Sequence, residues 1–144
     1  MYRSILSAPL LLSFSISGVA HAASDPPHEC EAESAPLMDL KSSWPDMYAA
    51  AVALPRRCFD GYFAEGISDT LVRKMGSDWS GFISLLTDHP DHAQFLSLVL
   101  DSVNATLDPK DVRVVQRLSL KSCPSRFRKE CGAISRKTVD ALVK

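Results

Sequence analysis

Four cysteines constrain this chain more than any other feature, because its first 22 residues read as an export signal into an oxidising compartment. Arg3 stands near the start, the stretch from Ile5 to Val19 is uncharged and largely apolar, and the small residues Ala20 and Ala22 flank His21 as a cleavage site requires. Residues 1–22 are therefore expected to be a cleaved signal peptide, and the protein to be periplasmic or secreted. The apolar run falls short of the roughly 20 residues that cross a bilayer, and Ser7, Ser13, Ser15 and Ser17 dilute it. No membrane span is expected there or further along the chain.

In such a compartment Cys30, Cys58, Cys123 and Cys131 are disulfide partners before they are nucleophiles or metal ligands. A catalytic cysteine would need an unpaired thiol beside a histidine that lowers its pKa, and an even count argues against one. Three pairings are open to four cysteines. The adjacent pairing, Cys30 with Cys58 and Cys123 with Cys131, is the expectation. Cys123 closes one expected helix, Pro124 breaks it, and Cys131 lies two turns into the next, so a bond there would staple a helical hairpin. On the loop-entropy model the short loop would restrict the unfolded chain by roughly 2 to 3 kcal/mol, and a Cys30 to Cys58 bridge by roughly 3 to 4. Both are large beside the net stability of a small domain.

Cleavage after Ala22 leaves 122 residues, enough for one hydrophobic core and too few for two comfortable ones. The segment 23–38 carries Pro26, Pro27 and Pro36 with four acidic residues and almost no bulky apolar side chains. It reads as an extended acidic arm, and 39–144 as a single helical domain. The net charge of −1 hides a strong asymmetry. Ala23 to Asp108 holds 14 acidic against 5 basic residues, whereas Pro109 to Lys144 holds 10 basic against 3 acidic. The two parts either attract each other, within the fold or across a homodimer, or the basic end faces an anionic partner.

The punctuation beyond the arm is that of helices. Pro45, Pro55, Pro90 and Pro109 suit first turns, Asp108 supplies a cap before Pro109, and Gly66 and Gly76 follow short amphipathic runs as stops would. Helices are expected over Pro45–Ala53, Pro55–Ala64, Ser68–Met75, Asp78–Leu86, Pro90–Val103, Pro109–Ser122 and Ser125–Val143. In the last of these, Phe127, Cys131, Ile134, Thr138 and Leu142 recur every three or four residues and share one face. Asp111 to Leu120 also alternates as a strand would, but nothing else in the chain offers it a partner, so helix is preferred. The fold class expected is all-α, a small disulfide-stapled helical bundle.

The most tempting chemical cluster is Asp88-His89-Pro90-Asp91-His92. Two histidines three apart would share a helical face suited to a metal ion, with Asp91 as a further ligand. Pro90 biases His89 away from helical geometry, however, and gives Asp88 and Asp91 a simpler role in capping the helix that follows. No third histidine completes a zinc site, because His28 lies in the arm and His21 in the leader. No nucleophile elbow, zinc-protease helix, phosphate-binding glycine loop, haem-attachment motif or calcium loop is present. An enzyme, a resident metal and a cofactor are therefore not expected.

The best functional lead is geometric. On a helix at about 100 degrees per residue, Lys110, Arg113, Arg117 and Lys121 fall within an arc of about 80 degrees, while Val112, Val115 and Leu118 point largely away. A solvated outer face would look like this; so would a partner-binding face for an acidic protein, a cell-wall polymer or a lipid headgroup. Nucleic acid is disfavoured by the compartment. Trp44, Trp79, Phe59, Tyr62 and Phe63 read as core aromatics.

A short leader, a helical domain of this size and a closing hairpin from Lys121-Ser122-Cys123-Pro124 to Cys131-Gly132-Ala133-Ile134 together resemble the periplasmic immunity proteins that protect bacteria against type VI secreted cell-wall amidases. The likeness is one of plan and covers the last two thirds of the exported chain. It implies a non-enzymatic inhibitor, often dimeric, that plugs the active site of a secreted toxin with a protruding helix or loop. It assigns no inhibitory residue, since no such element aligns here. A small helical envelope chaperone or stress protein is the alternative, and a hydrolase centred on Asp88 to His92 a third.

Overall fold

The computed structural model describes residues 26–143, so the expected signal peptide lies outside the described residues. Seven α-helices and no strand occur among those residues: α1 (Pro26–Ser34), α2 (Trp44–Ala53), α3 (Gly61–Ser77), α4 (Trp79–Asp88), α5 (Ala93–Ser102), α6 (Pro109–Lys121) and α7 (Arg128–Val143). Short 3-10 turns at Ala35–Leu37, Arg56–Cys58 and Ser125–Phe127 lead out of α1, towards α3 and into α7. The expected all-α class holds. No described helix is long and apolar enough to cross a membrane.

The longest helix, α3, runs through the middle and packs against α1, α4, α5 and α6. Ile67, Leu71 and Met75 recur every fourth residue along it and are fully buried. Around this row lies an aromatic cluster from three other helices. The Trp44 ring stands 5.5 Å from Phe82 and 6.4 Å from Phe95, and Trp79 stands 5.3 Å from Phe82. The tilted and edge-on arrangements suit the ring quadrupoles. Trp44 and Trp79 are thus core residues as expected, with Phe59 and Phe63 half-buried at its margin. Tyr62 is not: it stands 73 % exposed on the first turn of α3.

Two disulfides join neighbouring elements with the expected adjacent pairing. Cys30 of α1 bonds Cys58 in the turn before α3, and Cys123 bonds Cys131 across the α6–α7 corner. The first accounts for a departure from the sequence reading. Where an extended arm was expected over 23–38, Pro26–Ser34 is helical and Leu37 is fully buried in the core. Pro26 and Pro27 occupy a first turn, where a missing amide costs nothing. The Ser34 hydroxyl donates to the Cys30 carbonyl at 2.6 Å. A helix with too little apolar surface to hold itself is anchored by a covalent bond at its midpoint and by Leu37 just past its C-terminal end.

The glycines produce a second departure. Gly66 and Gly76 do not stop helices; both lie inside α3, and the separate helices expected over Pro55–Ala64 and Ser68–Met75 are replaced by one that begins at Gly61. A Cβ at Gly66 would press on the Met38 side chain, with Sδ at 3.3 Å, and one at Gly76 would meet Val114 Cγ1 at 3.4 Å. Their smallness admits neighbours to the helix. The left-handed residue is Gly61, at φ +50, where Asp60 accepts from the Gly61 amide at 2.8 Å and starts α3.

Candidate partner-binding face

The hairpin of α6 and α7 is built as the sequence reading expects at its first turn. Asp108 Oδ1 accepts from the Lys110 amide at 2.8 Å and Pro109 occupies the opening position of α6. Val112, Val115 and Ser119 are buried, which orients the helix: one side leans on α3 through Val114 and Gly76, the other lies along α7. The far end is held independently. Trp79 Nε1 donates to the Ser122 carbonyl at 3.0 Å, and the Cys123–Cys131 bond fixes the corner beyond it.

Lys110, Arg113, Arg117 and Lys121 are all exposed, on the arc opposite the buried valines. No described residue forms an ion pair or hydrogen bond with the charged end of any of these four side chains. Cations in this setting stay hydrated and mobile in the free protein, so a partner carboxylate meets little competition from within the chain. The acidic residues gather on other elements. Glu33, Asp39 and Asp46 border a shallow groove of about 610 Å³ along α1 and α2, floored by Ala49, Ala50 and Ala53.

The sequence reading missed the neighbouring groove. Between α6 and α7 lies a cleft of about 370 Å³, lined on one side by Ser119, Leu120 and Cys123 and on the other by Arg128, Gly132 and Ser135. Leu120 is 66 % exposed there, on the edge of the basic arc. Arg136 Nη1 would lie 3.6 Å from a Cβ at Gly132, which places its guanidinium beside the cleft. Only the cleft's separate parts are visible in sequence: Leu120 interrupts a polar arc, and Gly132 next to Cys131 leaves the facing helix without a side chain.

The Asp88–His92 cluster does not converge. Asp88 ends α4, and α5 begins only at Ala93, with His92 at its N-cap and no side-chain cap there. The capping expected of Asp88 and Asp91 is therefore not what the segment does. Its groups instead tie elements together. The Tyr48 hydroxyl donates to the Asp91 carbonyl at 3.0 Å, and the Tyr48 ring stacks on His89 at 4.0 Å. His92 Nδ1 donates to the His89 carbonyl at 2.7 Å, and its Nε2 stands 3.8 Å from Glu130 Oε1 on α7. The proline displaces the helix start by three residues and uses the histidines as packing groups. Among the described residues, no three His, Cys, Asp or Glu side chains are grouped to hold a metal ion.

No family model matches this chain, and neither a curated protein nor a solved structure matches it.

Proposed function

We propose that this protein binds and neutralises a partner protein in an oxidising extracytoplasmic compartment, in its most concrete form as an immunity protein against a secreted cell-wall-degrading effector. One observation carries the reading: four exposed cations stand on one face of a clamped helix, with no described side chain paired to their charged ends. A helix held at both flanks and at its end loses little backbone entropy on binding, and the field of its cations steers an acidic partner into register. Two disulfides suit an oxidising compartment outside the cytoplasm, periplasmic or secreted. Inhibition by occupancy requires no catalytic group, only complementarity.

The test is direct mixing of the purified, oxidised protein with candidate cell-wall amidases, including the product of the adjoining gene. A stoichiometric complex with loss of amidase activity supports the reading. Absence of a complex with every candidate counts against it.

A further inference from the structure

The geometry points to the α6–α7 cleft as the anchoring site for an acidic protein segment carrying one apolar side chain, which enters beside Leu120 while its carboxylates pair with Arg128 and Arg136 on α7 and with Arg117 on the outer face of α6. This deepens the proposed function and rests on its claim that a protein partner is bound.

The two rims belong to different helices. Arg113, Arg117 and Lys121 stand on α6, and Arg128 and Arg136 on α7. A flat basic face would attract any polyanion with little selectivity. A cleft with Arg128 in its wall, Arg136 beside it, and Gly132 and the Cys123–Cys131 bond beneath selects for something narrower. The exposed Leu120 supplies an apolar wall, and the facing glycine supplies room. A volume of about 370 Å³ accepts one or two side chains and no folded domain. A helix edge or extended strand with acidic residues flanking a leucine or similar residue meets these demands. A phosphate-rich lipid surface does not, because its apolar chains lie beneath the headgroup layer rather than between its charges.

Charge complementarity commits the occupant to a protein segment. Arg128 lines the cleft on the α7 side, Arg117 stands one turn from Leu120 on the outer face of α6, and the described Arg73–Asp69 ion pair lies elsewhere. The central apolar contact provides the anchor and the flanking pairs provide register, the usual division at small interfaces.

The experiment measures binding of two fluorescent ten-residue peptides of Asp and Glu, one with a central leucine and one with serine there, to the oxidised full chain. The leucine peptide is expected to bind at least about tenfold more tightly. Gly132→Phe, which fills the cleft, and Leu120→Ser, an exposed change that leaves the core alone, should each erase most of that difference, with melting curves confirming the fold. Equal affinity for the two peptides overturns the inference, as does an undiminished leucine preference in both variants. Binding to phosphatidylglycerol vesicles without binding to either peptide also overturns it, in favour of a lipid surface. The two readings fail separately. Leucine preference without inhibition of any amidase leaves the cleft standing and removes the immunity reading; inhibition unaffected by Gly132→Phe does the reverse.

Discussion

The indole Nε1 of Trp44 donates to the carboxylate of Asp78 across 3.0 Å, although 34 residues separate them. The same carboxylate accepts from the Gly81 amide at 3.0 Å and so caps α4. One side chain thereby fixes the start of α4 and the buried ring of α2, and through Trp79 the end of α6. Asp78→Ala should cost about 1 kcal/mol for the lost cap and about 1 to 3 for the unpaired indole N–H. Asp78→Asn keeps one acceptor for the cap but sets its NH2 against the indole N–H, so it should recover the cap's share of about 1 kcal/mol and not the indole part. Denaturant unfolding of the two variants checks the order.

Glycine substitutions should separate two uses of the residue. Gly132 sits inside α7, and an added Cβ would meet only Arg136 at ordinary contact distance, so Gly132→Ala should stabilise the protein by about 0.5 to 1 kcal/mol. Gly81 sits inside α4, where a Cβ would collide with the Asp78 carboxylate and lie 2.7 Å from Trp44 Nε1. Gly81→Ala should therefore destabilise by about 1 to 3 kcal/mol despite its better helix propensity. Thermal melts showing the same sign for both would refute this account.

Removing the disulfides singly should give unequal losses. Replacing Cys30 and Cys58 by serine opens a loop with a sequence separation of 28, against 8 for Cys123 and Cys131. The expected losses are roughly 3 to 4 and roughly 2 to 3 kcal/mol, measured by unfolding in denaturant. The larger loss should also release α1, read as faster proteolysis near Glu31.

Zinc should do nothing. A metal site at Asp88 to His92 would raise stability by about 2.7 kcal/mol at a hundred times its dissociation constant. With His89 stacked on Tyr48 and His92 engaged by the His89 carbonyl, calorimetry with zinc should show no shift in melting temperature.

Much of this arrangement is legible in sequence, for identifiable reasons. The periodic apolar rows of α6 and α7 carry their own orientation, and the Asp108-Pro109 start is local chemistry that needs no tertiary knowledge. Gly66 and Gly76 misled because a glycine at a helix end and a glycine under a close neighbour look alike until Met38 and Val114 are placed. The segment around Pro26 misled because its stabilisation is covalent and distant, at Cys58, rather than written in its own hydrophobicity. For the site, the cations were readable from helical angle alone. The cleft was not, since it needs the crossing of α6 with α7 and the coincidence of Leu120 with Gly132.

The central claim is recognition through the basic face of α6, and inhibition of candidate cell-wall amidases by the wild type and by the Arg113→Glu, Arg117→Glu double variant tests it most directly. The account predicts a stoichiometric inhibitor whose affinity drops by about tenfold or more in the double variant, with an unchanged melting temperature and a loss that shrinks as salt rises. Equal inhibition by both proteins at low salt would contradict it.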